Sequence, residues 1–291
     1  MDESCSKPRY ILRNRYLGST KEIAITEGEY EKLKKARETL SAALAIEELF
    51  SVLITNFNDA QNSIDSTSKA YFNLEDYSYY GMHELMQLVN VRTINFITAA
   101  KLYTDNLTSD AKYIGGKSLC VKIEKKRSEL YDASPEYRAI DQLRNYALHA
   151  GAVIHSITGN FVRPENGEVP KAIFYTSKAI LSKKSDRIKT KVMNEMPDKI
   201  NISEYISTAV EKYKELHTYI QTESSNSVAN VRKLFEDTIQ TSTETLDETT
   251  GLAACIYRDE KEMEFIQIFL EWDDVRMRLA ENAKLESLAP K

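Results

Sequence analysis

Three cysteines in 291 residues, Cys5, Cys120 and Cys255, are too few and too scattered for a disulfide framework or a cysteine-rich zinc site. Their scarcity suits a reducing compartment. Only 9 glycines and 6 prolines punctuate the chain, which excludes a fold built from many tight turns and favours long helices. There are only four histidines, and none stands in HExxH or Glu-x-x-His spacing, so no metal is expected. No run of about 18 uninterrupted apolar residues is present, so no membrane span is expected. The first ten residues, MDESCSKPRY, lack an apolar core, and a signal peptide is not expected either. No phosphate-cradling glycine loop and no nucleophile elbow appear: Gly115-Gly116-Lys117-Ser118 lacks the first glycine of a P-loop. A net charge of −5 offers no general attraction to nucleic acid or membrane.

What is present is apolar periodicity. Hydrophobic residues make up 42% and charged residues 29%, enough for a sizeable core. Alternation at Tyr10, Leu12 and at Ile23, Ile25, around Gly18-Ser19, predicts an N-terminal hairpin. Helical spacing then runs from Glu29 to about Phe57 and again from Tyr79 to Leu107. A shorter helix is predicted from Lys117 to Tyr131. Ser134-Pro135-Glu136 is a strong helix start: a capping hydroxyl, a proline at the first position and a carboxylate at the positive end. That helix should stop near Gly151. Residues 152–182 read as a hairpin, KKSDRIKTK (Lys183 to Lys191) as a basic linker, and Ser203 to Ile239 as a long helix or a helix pair. LAACIY reads as a short strand and the stretch after Lys261 as a final helix. The predicted fold is a mainly α, antiparallel helical bundle with small β-hairpin additions. It is read as a single domain over 1–291: hairpin 1–28, bundle core 29–151, hairpin insertion 152–182 and C-terminal helices 183–291.

The stretch RNYALH, Arg144 to His149, closes the helix that opens at Pro135. At about 100° per residue, Ile140, Leu143 and Ala147 mark its core stripe, with Tyr137 and Leu148 alongside and Arg144 about 40° from the centre. Asn145 and His149, four apart, share a face. A bland reading exists for each: His149 complements the negative helix end, and Arg144 pairs with Glu47, Glu48 or Glu84.

The same residues resemble the R-x(4–6)-H signature of the HEPN superfamily, in which a polar residue often follows the arginine. The likeness extends to the order of elements over Glu29 to Gly151: a long helical hairpin, a shorter helix, then the motif helix. The resemblance implies a homodimer whose composite cleft is a metal-independent endoribonuclease, often a toxin with a neutralising antitoxin partner or a phage-defence effector. Some relatives are inactive or bind nucleotides instead. It implies that His149 transfers protons, Arg144 binds phosphate and Asn145 supports them. No cofactor is then required. Tyr146 is a candidate for stacking an RNA base. The basic run of Lys122, Lys125, Lys126 and Arg127 is a candidate RNA path, with KKSDRIKTK and Arg9, Arg13 and Arg15 as further contributions. The expected setting is cytoplasmic, with RNA as substrate and no membrane. The alternative is a helical binding or interaction module without the chemistry.

Overall fold

The computed structural model describes residues 7–16, 20–74, 77–159, 170–248 and 250–288. Its order is β1 (Arg9–Asn14), β2 (Glu22–Ile25), α1 (Glu27–Phe72), α2 (Tyr79–Ala133), α3 (Pro135–His149), β3 (Ser156–Gly159), β4 (Ala172–Ser177), α4 (Lys178–Leu181), a 3₁₀ turn (Ser182–Arg187), α5 (Thr190–Glu195), β5 (Lys199–Asn201), α6 (Ile202–Leu246), β6 (Leu252–Arg258), β7 (Lys261–Gln267) and α7 (Glu271–Leu288). The chain is mainly helical with two small antiparallel sheets. It divides into two compact units, and the long helices pass through both.

The first unit comprises residues 1–48, 108–120 and 221–291. Its sheet has the order β2-β1-β6-β7. Tyr10 pairs with Ile25 and Leu12 with Ile23, the alternating pairs of the N-terminal hairpin; the Gly18-Ser19 turn lies outside the described residues. The hairpin is not a free-standing addition, because β1 also pairs along its whole length with β6. One sheet face, with Leu12, Leu252, Ala254 and Ile266, packs on Tyr30, Leu33 and Ala36 of α1 and Phe235 and Leu246 of α6. The sequence pattern predicts one helix from Lys261 onward, but Lys261–Gln267 is a strand. The hairpin turn explains this: Asp259 and Glu260 both have positive φ (50° and 60°), folding β7 back on β6. Within α2, Gly116 sits at φ 63°, ψ −158°, outside the helical region, so the helix is two limbs joined at the glycine pair. Only glycine adopts that conformation without strain.

The second unit comprises residues 49–107 and 121–220. It holds the rest of α1, most of both α2 limbs, α3, the start of α6 and a β3-β4-β5 sheet. Aromatic contacts join its helices. Phe50 of α1 stacks on the buried His217 of α6 at 3.7 Å, and Tyr103 of α2 hydrogen-bonds that imidazole at 3.0 Å. Tyr137 of α3 meets Tyr213 of α6 at 4.7 Å. The predicted 152–182 hairpin is present as β3 and β4, with its turn at 160–169 outside the described residues. A third strand, β5, adds to it. KKSDRIKTK is not a linker: its residues form the 3₁₀ turn and open α5, because Ile188, Val192 and Met193 are buried. The polar stretch after Phe57 is simply more of α1, and α6 is one helix through Leu246. In α1, an 18-residue window is apolar enough to cross a membrane by length and composition, and 44% of it is buried inside the protein. Leu40, Ile46, Phe50, Leu53 and Ile54 are core residues.

Candidate functional site

The motif helix begins as its sequence dictates. Ser134 is the N-cap, its Oγ accepting from the Tyr137 N–H at 3.1 Å, with Pro135 in the first turn. The last turn closes when the Ala150 N–H donates to the Tyr146 carbonyl at 2.8 Å. Two buried donors fix the chain after it. The N–H groups of Val153 and Ile154 both donate to Asn90 Oδ1 on α2, at 2.9 and 3.2 Å.

The buried face of α3 differs from the predicted stripe. Tyr137, Ala139, Ile140, Gln142, Leu143 and Tyr146 are buried, whereas Leu148 is 52% exposed. The face is turned toward the α5 side, where Gln142 Oε1 accepts the Lys189 N–H at 3.1 Å. A glutamine is tolerated inside because that bond satisfies it.

Arg144 is half-buried and lies on the edge of this face. Its Nη1 donates to Asn145 Oδ1 at 3.3 Å, and its Nε is buried without a partner. Among the described residues no carboxylate pairs with it. Glu47, one suggested partner, instead accepts two bonds from Gln221 at 3.0 and 3.2 Å. His149 is exposed at the helix end, with no hydrogen bond among the described residues. The structure thus joins Arg144 to Asn145 and leaves His149 apart. Arg144 and His149 are five positions apart, about 140° around the helix.

Tyr146 is a correction to the stacking expectation. It is only 4% exposed and meets the His155 ring edge-on at 6.2 Å, so it packs the core and offers no face to a base. His155 is a structural residue of the segment that follows α3. Its Nδ1 accepts the Ser177 N–H at 2.9 Å and its Nε2 lies 2.9 Å from the Ala152 carbonyl. That arrangement requires the neutral ring with the proton on Nε2. Burial pulls its pKa below the usual histidine value, against the opposing pull of the Ala152 bond. The unfolded chain therefore binds the proton more readily than the folded one. The stability this ring contributes is fully present above about pH 6.5 and declines as pH falls toward its lowered folded value. A His155→Gln chain should show a flatter fall in melting temperature between pH 7 and pH 5 than the parent. Equal slopes would remove His155 as the cause.

The basic run does not act as one patch. Lys125 is 79% exposed and approaches Glu129 at 4.0 Å. Lys126 pairs with Glu215 of α6 at 2.7 Å. Arg127 turns the other way and donates from Nη1 to the Thr104 carbonyl at 3.2 Å. Lys122 is exposed on the same limb. Arg9, Arg13 and Arg15 belong to the first unit and are answered by Glu22 and Glu262 at 2.9 to 3.5 Å, which cancels their pull on RNA. Among the described residues no group of three His, Cys, Asp or Glu side chains converges as a metal would need. This chain matches no known family model, no curated protein and no solved structure.

Proposed function

We propose that this chain is a cytoplasmic, homodimeric, HEPN-like endoribonuclease that works without metal. The observation that supports this is the state of Arg144: a half-buried guanidinium with no carboxylate partner among the described residues, braced by Asn145. A cation in that state is a receptor waiting for an anion, and a phosphodiester fits its paired donors. Exposed Leu148 and His149 flank it on the same helix end and form the face a second copy would cover. In the composite cleft, one His149 removes the 2′-OH proton, the 2′-oxygen attacks phosphorus, and the P–O5′ bond breaks. The leaving 5′-oxygen takes a proton from the second copy's imidazole. The products are a 2′,3′-cyclic phosphate and a 5′-hydroxyl. A toxin or phage-defence role, held in check by a neutralising protein, is the biological setting of this proposal.

A second reading, a helical binding module without chemistry, is favoured by the roughly 140° between Arg144 and His149, which keeps one protomer from assembling the pair. One assay separates them. Purified chain is incubated with mixed RNA in excess EDTA, and the ends are typed, while light scattering gives the mass at micromolar concentration. Cleavage to cyclic phosphate ends by a dimer is the expected result. A strict monomer, or intact RNA in the presence of dimer, would leave the binding module.

A further inference from the structure

A cleft of about 230 Å³ in the second unit has no part in the reading above. It is lined by Lys101 and Thr104 of the first α2 limb, Arg127, Ser128 and Tyr131 of the second, and Tyr137 and Asp141 of α3. The two basic runs named as candidate RNA contacts both reach Tyr131: Arg127 lines the cleft with it, and Lys189 stands outside the lining, beside the same ring. Arg127 comes from the KIEKKR run, and Lys189, from the KKSDRIKTK run, holds its ammonium 5.9 Å from the centre of the Tyr131 ring. The Arg127 guanidinium is oriented by its single bond to the Thr104 carbonyl at 3.2 Å. Among the described residues neither Arg127 nor Lys189 has a carboxylate partner. By contrast Lys101 is neutralised by Asp105 at 3.0 Å and Asp141 at 3.6 Å. The Tyr131 hydroxyl is buried with no hydrogen-bond partner among the described residues.

Two unanswered cations beside one aromatic ring ask for a ligand that brings two negative charges and a flat face. A phosphomonoester carries close to two charges at pH 7, where a carboxylate or an internal phosphodiester carries one. The cleft is smaller than a drug-sized site of about 300 to 1,000 Å³, so it takes one nucleotide-sized group and not a length of polymer. We infer that this cleft binds a phosphomonoester joined to a planar ring, the phosphate meeting Arg127 and Lys189 and the ring lying along Tyr131. The source is a free mononucleotide or the 5′-phosphorylated end of a nucleic acid. The site stands whether or not the chain cleaves RNA, because it shares no side chain with Arg144, Asn145 or His149.

Calorimetric titration of the full chain tests it. The titrants are inorganic phosphate, a nucleoside monophosphate, the matching nucleoside, and a short DNA oligonucleotide with either a 5′-phosphate or a 5′-hydroxyl; DNA lacks the attacking 2′-hydroxyl. The monophosphate should bind saturably and at least about tenfold tighter than its nucleoside. Lys189→Ala, at an exposed side chain, should weaken it about tenfold, and Asp141→Asn, which removes the opposing charge, should tighten it. Arg127→Ala should do the same as Lys189→Ala, with circular dichroism checking that the Thr104 anchor was not essential to folding. A 5′-phosphate preference in the oligonucleotide, at an affinity above that of the free nucleotide, assigns the site to a nucleic-acid end; the reverse order assigns it to a metabolite. Equal binding of nucleoside and monophosphate, no saturation by either at millimolar concentration, or an affinity unchanged in Lys189→Ala would overturn the inference.

Discussion

His149→Ala should lower EDTA-resistant RNA cleavage by about a hundredfold to ten-thousandfold, the range that a positioned proton-transfer group contributes. His149 is exposed at the end of α3 and makes no hydrogen bond among the described residues. Its removal should therefore change stability by no more than about 0.5 kcal/mol. Lost activity with an unchanged melting temperature would then report chemistry and not unfolding. Arg144→Ala should produce a loss of the same order. Arg144→Lys should not restore it, because an ammonium cannot reproduce the paired donors of a guanidinium. If cleavage persists in both alanine chains, the activity belongs to something else and the assignment of these residues fails.

Asn90→Ala should lower the free energy of unfolding by about 2 to 6 kcal/mol, since it strands two buried backbone donors at roughly 1 to 3 kcal/mol each. Asn90 is a single acceptor serving both Val153 and Ile154, and all three residues are buried. The substitution also releases the turn that follows the motif helix, so the end of α3 that carries His149 should fray. Urea unfolding, with the slope unchanged and the midpoint lowered, is the measurement. A loss below about 1 kcal/mol would mean that the loop finds other acceptors and that Asn90 is not its anchor.

How much was legible follows from the range of the forces involved. The start of α3 is written in Ser134-Pro135-Glu136, because capping acts over three or four residues. The hairpin pairs Tyr10–Ile25 and Leu12–Ile23 are likewise visible as alternation, since side chains of a strand change face at every residue. The strand β7 was hidden: KEMEFIQIFLEW has enough apolar residues at helical spacing to look like the start of α7. What decides it is the sheet beside it. β6 offers a free row of backbone groups, and the backward turn at Asp259 and Glu260 delivers β7 to that row. Tyr146 misled for a related reason. An aromatic beside a motif arginine suits a base-stacking role, but its direction depends on which flank of α3 the following segment covers, and β4 fixes that segment through the His155 N–H bond to the Tyr175 carbonyl. Gln142, a polar residue inside, had no sequence signal at all; only the Lys189 amide, 47 positions later, makes its burial possible.

The sequence by itself determined the helical class, the start of α3 and the chemical identity of RNYALH, because propensity, capping and periodicity are local and need no partner. Tertiary structure decided which face of α3 is buried, that Arg144 has no carboxylate partner among the described residues, and that Arg127 and Lys189 arrive beside one tyrosine. Those outcomes depend on distances between residues tens of positions apart, and no pattern within one helix encodes them.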